Sequence, residues 1–352
     1  MTRLGPNQSQ SIFFSTPASM KKFKDTEVRW GVLGVGKVCE LKSAPAMNTI
    51  PNSRLVAVMR RDAEKAQDYA TRHEVPKWYS NAADLIQDPE VNAIYIATPP
   101  HVHLELTQLA AAAGKPVYVE KPMARTYAEC LQMIQACEQA SVPLFVAYYR
   151  RKLPHFIKIK ELLDQGEIGA IRTVHINMKQ VLTPNLVSSS AENWRVLPEI
   201  AGGGYFYDLA SHQLDLLDFF FGKITHATGF STNQAKAYPA EDLVCGTFAF
   251  ENGVVGTGNW CFTTSTASEI DEIVIDGDKG QLRFTTFGEG AFTLLRPNQN
   301  PLHFHLELPH HIQRPLIQSI VEELLGKGSC PSTGITAART NWVMDELVKN
   351  RI

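Results

Sequence analysis

The first half of the chain alternates between short apolar runs and longer segments in which apolar residues recur every three or four positions. The runs predict buried strands at VRWGVLG, RLVAVMR, NAIYIATPP, PVYVEKP and PLFVAYY. The longer segments predict helices at DAEKAQDYATRH, HLELTQLAAAAG and TYAECLQMIQACEQAS. Asp62 is expected to cap the first of these helices, and Gly114 to end the second. Strands separated by helices of this length indicate βαβ units and a parallel sheet.

The pattern changes after about Arg150. One helix, FIKIKELLDQG, is followed by the alternating segment AIRTVHINMKQ. Strand-like runs then follow at LVCGTFAF, VVGTGNWCF, DEIVIDGD, QLRFTTF and AFTLLRP, with turn signals such as Asn252-Gly253 and Gly277-Asp278. Two amphipathic helices, around PLIQSIVEELLGKG and ARTNWVMDELVKN, close the chain. This half therefore predicts a second domain built on a largely antiparallel sheet.

We divide the chain into a flexible tail at 1–27, a first domain at 28–149 and a second at 150–352. The terminal helix is a candidate to pack back on the first domain. The tail is rich in Ser, Pro, Gln and Lys and shows no clear period. Its apolar stretch SIFF is too short for a signal peptide. Met1 and Met20 both stay open as the start of translation.

Composition excludes several classes of function. A length of 352 residues fits about two domains, and 44% hydrophobic with 20% charged residues is typical of a globular protein. The net charge of −2 and the absence of a basic block argue against nucleic-acid binding. No apolar run reaches the roughly 18–20 residues needed to span a membrane. The six scattered cysteines form no CxxC, so we expect reduced thiols and a cytoplasmic location.

A glycine turn follows the first strand in GVLGVGKVC. Gly34 permits a tight turn, and Gly36 lets the backbone approach a pyrophosphate at the start of a helix that opens with Lys37 and Val38. Cys39 replaces the third glycine of the full fingerprint. The motif is weak alone, but its position at the head of a βαβ series favours dinucleotide binding.

The second strand ends in VMRRD, where a dinucleotide fold holds the 2′ substituent of the ribose. Arg60 and Arg61 suit a 2′-phosphate, which favours NADP. Asp62 lies one residue beyond the position where an acidic side chain would bind the ribose hydroxyl of NAD. NAD therefore remains the alternative cofactor. The alternative is a solvated basic pair that caps the next helix.

The segment GGGYFYDLASHQLDLLDFF contains several ionisable residues in a setting that looks buried. No Lys, Arg or Glu occurs between Ala201 and Gly222, yet Asp208, His212 and Asp215 are spaced i, i+4, i+7 on one helix face. Because buried charge is costly unless it is paired, this face is predicted to line a cleft. A solvated polar stripe is the alternative. A metal site is disfavoured because no third ligand has a recognisable motif.

Four histidines near the end of the chain are further candidates for metal ligands. They form an HxH and an HH pair at His303, His305, His310 and His311. HxH on an alternating strand usually reflects one exposed face. We therefore predict no metal site.

Several motifs together resemble the glucose–fructose oxidoreductase and inositol dehydrogenase (Gfo/Idh/MocA) family. They are TPPHVH, AGKPVYVEKPMA, NWR, GGGYFYDLASHQLD and LIQSIVEELLGKG, and the resemblance covers roughly residues 28–345. It implies an α/β protein with an N-terminal Rossmann dinucleotide-binding domain. It also implies a C-terminal domain, here α+β, with a large, mostly antiparallel, open-faced sheet whose free face commonly pairs two subunits.

The resemblance also implies roles for the residues that match. Lys121 would lie by the nicotinamide and hydrogen-bond the reacting oxygen, and His212 would be the general acid/base. An unperturbed histidine pKa of about 6.5 suits that task. Asp208 would orient His212 or contact the sugar. Asp215 is either a supporting or a structural residue.

Further matches extend both sides of the predicted site. Those on the cofactor side are Thr98, Pro99, His103 and Glu120, beside Lys121 itself. Those on the substrate side are Arg150, Trp194 and Arg195, beside Asp208 and His212. Tyr148-Tyr149 replaces the Asn that the family often has before the arginine, so the sequence departs from the family pattern on the substrate side.

The sequence therefore predicts an NADP-preferring dehydrogenase or reductase, with NAD as the alternative cofactor, acting on a sugar, polyol or related hydroxy or carbonyl compound. An NAD-dependent glycosidase of the same fold is an alternative. So is a sensor that has lost the chemistry, although intact Lys121, Asp208 and His212 argue against it.

The expected partner is a small molecule, with no nucleic acid and no membrane. We expect a homodimer or homotetramer formed through the C-terminal sheet. There, Val254, Thr257 and Trp260 belong to strands that do not look wholly solvated.

Overall fold

The computed structural model describes residues 23–186 and 193–352. Most of the predicted tail, including SIFF and Met20, lies outside the described residues. Residues 1–22 therefore contribute nothing to the structural description below.

The first half forms one six-stranded parallel sheet, as the alternating pattern predicted. Its strands are β1 Val28–Leu33, β2 Ser53–Met59, β3 Lys77–Tyr79, β4 Ala93–Ile96, β5 Val117–Val119 and β6 Leu144–Val146. Its helices are α1 Lys37–Leu41, α2 Ala44–Met47, α3 Ala63–Arg72, α4 Ala82–Gln87, α5 His103–Ala112 and α6 Tyr127–Ala140. The strand order β3-β2-β1-β4-β5-β6 is that of a Rossmann fold.

Local signals set the ends of these helices. The Asp62 side chain accepts a hydrogen bond from the Lys65 amide at 3.1 Å and caps α3. Gly114 follows α5 with φ +71°, which confirms the predicted helix end. The sequence pattern missed β3 and α4, because elements of three and six residues have too few positions to show a period.

The second half is built on an eight-stranded sheet. Its strands are β7 Ile171–Lys179, β8 Ile224–Thr232, β9 Leu243–Phe250, β10 Val255–Cys261, β11 Ile270–Gly277, β12 Gln281–Phe284, β13 Ala291–Leu295 and β14 Leu302–His305. Its helices are α7 Pro154–Asp164, α8 Pro198–Ala201, α9 Ser211–Phe221, α10 Arg314–Leu324 and α11 Gly334–Val348. The order is β14-β13-β12-β11-β7-β10-β9-β8. Only the central β7–β10 pair is parallel, so the predicted mostly antiparallel sheet is confirmed.

One face of this second sheet packs against α9. Trp260 is fully buried there, and its Nε1 donates to Gln213 Oε1 on α9 at 2.7 Å. The other face carries a row of polar side chains across adjacent strands, at Thr228, Thr247, Thr257 and His175. Because alternate residues of a strand point to opposite faces, Trp260 belongs to the core and only Thr257 lies on the open side.

The C-terminal helix α11 joins the two halves. Asp345 on α11 accepts from the Tyr127 amide at the start of α6 (2.8 Å), and Asn341 Nδ2 donates to the Ala124 carbonyl (2.9 Å). The boundary at 149/150 itself stays a prediction. Within the described residues, no helix combines the length and apolarity that crossing a membrane requires.

Candidate active site

The candidate site lies at the carboxyl ends of the parallel strands, where the strand order reverses between β1 and β4. Gly34 and Gly36 follow β1, Thr98 follows β4, and Lys121 follows β5. Because parallel strands end at the same edge of a sheet, these segments meet there. In open α/β sheets this crevice is where ligands bind.

The glycine turn leaves room for a ligand. Gly34 has φ +91°, and a Cβ at this position would lie 2.7 Å from Thr98 Cγ2, so only glycine fits. A Cβ on Gly36 would meet nothing closer than 4.0 Å, so its Cα faces open space. Thr98 Oγ1 is buried and has no hydrogen-bond partner among the described residues. This cradle fits the phosphates of a dinucleotide.

The other predicted cofactor residues flank the turn. Lys37 is exposed and Val38 half-buried at the start of α1, and Pro99 is half-buried beside Thr98. Arg60 is half-buried, and its Nη1 donates to the Val35 carbonyl of the turn at 3.2 Å.

Arg61 and Asp62, which follow β2, differ in their interactions with the rest of the protein. Arg61 is exposed. The Asp62 carboxylate caps α3 and lies 2.7 Å from Lys65 Nζ, so it is already engaged.

His103 has a different position from the one predicted. It is fully buried, and its two ring nitrogens lie 3.0 Å from the Met123 carbonyl and 2.8 Å from the Thr98 carbonyl. Burial lowers the pKa of this imidazole. The side chain therefore fixes the loop that carries Thr98, rather than offering a nitrogen to a cofactor.

Glu120, like His103, forms hydrogen bonds with other residues of the protein. Its Oε1 accepts from the Tyr95 hydroxyl (2.6 Å) and from Gln313 Nε2 (2.8 Å), and its Oε2 accepts from the Lys121 amide (3.1 Å). Gln313 Oε1 in turn accepts from the Tyr118 hydroxyl at 2.7 Å. Glu120 thus holds the backbone of Lys121 in place. Sequence reasoning missed Gln313, which carries no motif of its own.

Lys121, Asp208 and Arg195 form a charged cluster. Lys121 Nζ donates to Asp208 Oδ1 at 2.5 Å and to the Asp208 carbonyl at 3.0 Å. Arg195 Nε lies 3.2 Å from Asp208 Oδ2, and its guanidinium stacks 4.4 Å from the ring of Trp194. Burial raises the pKa of Asp208, but the two cations outweigh burial and leave it below its ordinary value. Asp208 is therefore ionised.

Local backbone geometry brings Asp208 to the cluster. Residues Phe206–Ala210 form a π-helical turn directly before α9. Before it, Gly202 has φ +90°, and a Cβ there would lie 2.5 Å from the Arg125 carbonyl oxygen. The glycine lets the segment approach the loop that follows Lys121. Single π-helical turns inside helices often mark functional sites.

His212 lies in an aromatic enclosure. It is 3% exposed, and its Nδ1 has no partner among the described residues. Three rings surround it edge-on with centroids 5.6–6.0 Å away: Tyr148, Tyr149 and Phe287.

This enclosure changes the protonation of His212. Burial, and then the charges of Arg150, Lys121 and Lys42, hold its pKa well below its ordinary value. The ordinary pKa expected from sequence was therefore wrong. The imidazole is neutral at neutral pH, so one of its ring nitrogens carries a lone pair that can accept a proton.

Asp215 lies away from this cluster. Arg151 Nε donates to its Oδ2 at 2.8 Å and Arg151 Nη2 to its Oδ1 at 2.7 Å. Asp218 accepts from Arg151 (3.0 Å) and from Arg339 (2.7 Å). Placing all three carboxyl and imidazole groups on one cleft-lining stripe was thus wrong for Asp215. The buried guanidinium of Arg151 supplies the charge partner of Asp215, and this long-range pairing is not visible in the local spacing.

Arg150 shares the aromatic enclosure with His212. Its guanidinium lies 4.9 Å from the ring centroid of Tyr149 and 4.4 Å from that of Phe287. Its Nε donates to the Thr286 carbonyl at 2.9 Å. The structure thus brings together Lys121, Asp208, Trp194 and Arg195 on one side, and His212 and Arg150 on the other.

The histidines near the end of the chain do not converge. His303 and His305 are exposed on β14, and His311 Nδ1 lies 2.7 Å from the Leu41 carbonyl. Across residues 23–186 and 193–352, no three His, Cys, Asp or Glu side chains group in a way that could hold a metal ion.

Two family models match the chain. Residues 28–148 match the model described as "Oxidoreductase family, NAD-binding Rossmann fold". Residues 156–283 match the model described as "GFO/IDH/MocA C-terminal domain". Together they cover the first sheet, most of the second sheet up to Arg283 in β12, and most of the residues discussed above.

Individual proteins are similar over most of their length. Oxidoreductase P35 of Formosa agariphila is 40% identical over 91% of this chain and 98% of its own. A 1,5-anhydro-D-fructose reductase of Ensifer adhaerens is 28% identical over 72% of this chain and 74% of its own. Among solved structures, a levoglucosan dehydrogenase in complex with NADH and levoglucosan superposes with a TM-score of 0.82 at 22% identity. It covers 92% of this chain and 96% of that one. That structure shows a shared fold.

Proposed function

Because the chain belongs to the GFO/IDH/MocA oxidoreductase family, we propose that it is an NADP-preferring dehydrogenase or reductase of a sugar, polyol or related hydroxy compound. The observation that carries this proposal is the meeting of three features at one crevice. They are the open glycine turn, the Lys121–Asp208 pair and the neutral His212.

The residues around the glycine turn fit a nicotinamide dinucleotide. The backbone from Gly34 to Val38 would hold the pyrophosphate, with the unpartnered hydroxyl of Thr98 beside it. Pro99 and Lys121 would flank the nicotinamide end. When bound, the nicotinamide ring supplies the acceptor or donor of the hydride.

The protein's own side chains would manage the proton and the developing charge. Oxidation of a secondary alcohol removes a hydride from carbon and a proton from oxygen. The neutral imidazole of His212 would accept that proton. The ammonium of Lys121 would donate a hydrogen bond to the same oxygen and stabilise its alkoxide character.

Asp208 would keep Lys121 ready for this task. The carboxylate and the backbone carbonyl of Asp208 both accept from Lys121 Nζ and fix the ammonium in position. Arg195 would hold the other oxygen of Asp208 and, with Trp194, form the substrate side of the cluster.

Two arginines support a preference for NADP. Arg60 lies over the glycine turn, and Arg61 is exposed beside it, where a 2′-phosphate would bind. The alternative NAD ligand, Asp62, is occupied by the α3 amide and by Lys65.

A sugar-like substrate is supported by the relatives. The Ensifer adhaerens relative is named as a 1,5-anhydro-D-fructose reductase, whose substrate is a sugar derivative. Substrate choice within a fold depends on a few contacts, so we propose the class and not the compound.

We also propose that the enzyme is a homodimer or homotetramer that pairs through the open face of the second sheet. Phe230 on β8 is 59% exposed on this face, beside the exposed Cys245 on β9. The free thiols of all six cysteines support a reducing compartment, for which we propose the cytoplasm.

The test of the proposed function is a panel of sugars, polyols and their oxidised forms, assayed with NAD⁺, NADP⁺ and the reduced cofactors. Cofactor absorbance reports turnover. Steady turnover with NADP⁺ or NADPH and at least one sugar or polyol pair is expected. Tight cofactor retention with bond cleavage but no net redox change would instead support the glycosidase alternative.

A further inference from the structure

We propose that Arg150 binds a carboxylate of the substrate, so that the preferred substrate is a sugar acid such as a uronate or an aldonate. This inference rests on the proposed function, because it names the substrate class of the same site. It is carried by the surroundings of the guanidinium group.

Arg150 is a buried cation that lacks a counter-ion within the described part of the chain. The residue is 6% exposed, and no Asp or Glu oxygen there forms an ion pair with it. Its Nη1 is buried without any hydrogen-bond partner in that part of the chain, and its Nε has only the Thr286 carbonyl. Burying a charge without a partner is costly, so a missing anion is the economical explanation.

The neighbouring Arg151 shows the environment of a buried arginine that has a structural role. Arg151 is equally buried, but it bonds both oxygens of Asp215 and one oxygen of Asp218. Two adjacent arginines therefore have opposite environments. The paired one faces the helices, and the unpaired one faces the aromatic enclosure.

An acidic side chain that interacts electrostatically with Arg150 already has other hydrogen-bond partners. Asp271 feels the charge of Arg150, which lowers its pKa against the larger opposing effect of burial. Its Oδ1 accepts from Gln213 Nε2 at 3.2 Å, and its Oδ2 accepts from the Phe287 amide at 2.7 Å. Asp271 thus supports the loop beneath Arg150, and a ligand is left to supply the direct partner.

Arg150 stands at the right place to act on substrate. The rings of Tyr149 and Phe287 that sandwich its guanidinium are the same rings that enclose His212. A group bound to Arg150 would therefore lie next to the imidazole that exchanges the proton. The planar guanidinium fork matches a carboxylate in two parallel hydrogen bonds, better than it matches a lone hydroxyl.

A bound carboxylate would also change His212. In the free protein the positive charge of Arg150 is one cause of the low pKa of His212, after burial. A carboxylate on Arg150 would cancel that charge and move the pKa of His212 towards the range useful for proton exchange. A sugar acid would thus help to prepare the site for its own reaction, in which the alcohol carbon loses a hydride to NADP⁺ and the carboxylate is unchanged.

The experiment compares matched pairs that differ in one carboxylate: D-glucuronate with D-glucose, D-galacturonate with D-galactose, and D-gluconate with D-sorbitol. For each pair, kcat/KM and binding to the cofactor-loaded enzyme are measured. The wild type is expected to favour the acid of at least one pair by about 10- to 100-fold, the size of a charge-assisted hydrogen bond.

Variants at Arg150 locate the preference. Arg150→Met should bring the acid-over-neutral ratio close to one, mainly through KM, and Arg150→Lys should keep part of it because the charge remains. Arg54→Met, exposed at the start of β2 and paired with Glu27, is the matched control and should keep the wild-type ratio. Near-native unfolding midpoints of both Arg150 variants would show that the ratio reports recognition and not folding.

The possible outcomes separate the two proposals. Turnover of neutral sugars with no preference for acids in the wild type would overturn the carboxylate site and leave the proposed function standing. Acid preference that survives Arg150→Met would overturn the role of Arg150. If nothing on the panel is turned over, the proposed function fails, and equal binding of acids and neutral partners would then overturn this inference as well.

Discussion

At the scale of single residues, the charged side chains of the site form two groups. Asp208 takes Lys121 and Arg195, so two cations and one carboxylate form one local cluster. Arg150 and the neutral His212 stay outside it, enclosed by aromatic rings. The site therefore carries an excess of positive charge before any ligand binds, which suits an anionic cofactor and an acidic substrate.

Cofactor choice is tested at the two arginines after β2. Arg61→Ala should weaken NADP binding by about 10- to 100-fold and leave NAD binding nearly unchanged, because the 2′-hydroxyl of NAD carries no charge. Arg60→Ala should weaken NADP more than NAD but lower both, since Arg60 also bonds the Val35 carbonyl of the glycine turn. Titration of both dinucleotides against each protein measures these losses.

Arg54→Ala is the matched control for that titration. Arg54 is exposed at the start of β2 and pairs with Glu27, at the opposite end of the strand from Arg60. Its removal makes the same change in net charge and should affect neither cofactor. Tighter binding of NAD than of NADP by the wild type would contradict the assignment and return Asp62 as the ribose ligand.

Motif residues could be predicted singly, but their partners could not. Asp208 and His212 lie four residues apart, so the sequence alone could indicate that both belong to one site. Glu120 bonds Gln313, and Arg150 bonds the Thr286 carbonyl. Both partners lie more than 130 residues away in the sequence. The missing counter-ion of Arg150 is a property of that distant packing, so nothing near AYYRRKLP could have indicated it.

At the scale of elements, α9 is held by ion pairs on the side away from the candidate site. Arg151, which follows β6, bonds Asp215 and Asp218 on α9, and Arg339 on α11 bonds Asp218. Three separate segments are thereby fixed to one another behind His212. The carboxylates of Asp215 and Asp218 on this buried helix are thus explained by two arginines from other parts of the chain.

Removal of Asp215 tests this arrangement. Asp215→Asn leaves Arg151 buried with a weaker partner, so the free energy of unfolding should fall by about 3 kcal/mol, the lower end of the cost of breaking a buried pair, because Asp218 remains. Urea denaturation measures the loss. Asp164→Asn, which breaks the exposed pair with Lys160 on α7, is the control and should cost under about 1 kcal/mol. Equal effects of the two substitutions would show that Asp215 does not anchor α9.

Element length decided what could be predicted. The nine-residue β7 and fourteen-residue α6 show clear periods and were predicted. The sequence analysis missed β8, whose run ITHATGFST lacks strong apolar alternation and carries a register shift between Ile224 and His226. The π-helical turn at Phe206–Ala210 could not be predicted either, because its residues also fit an ordinary helix.

At the scale of the whole molecule, the candidate site is made by both sheets together. Lys121 comes from the parallel sheet, Asp208 and His212 from the segment that packs on the antiparallel sheet, and Gln313 from the chain after β14. The backbone amide of Gln313 also donates to the Lys42 carbonyl after α1 (3.1 Å). The two halves therefore cannot shift far without disturbing Lys121.

Assembly is the prediction at this scale. We expect a dimer or tetramer by light scattering at micromolar concentration, with the open sheet face buried between subunits. Phe230→Glu places a charge on that face and should lower the mass. Leu109→Glu, on the exposed surface of α5, is the control and should leave it unchanged. A monomeric wild type would contradict the proposal.

The central claim is that Lys121 acts on the reacting oxygen beside a bound nicotinamide. The most direct measurement compares turnover and cofactor affinity of wild type, Lys121→Ala and the control Lys158→Ala, whose lysine is half-buried on α7 and pairs with Glu161. The substrate is the panel compound with the highest kcat/KM. Lys121→Ala should lower turnover by about 10²-fold or more, while its cofactor affinity and the activity of Lys158→Ala change little. Wild-type turnover in Lys121→Ala would contradict the account.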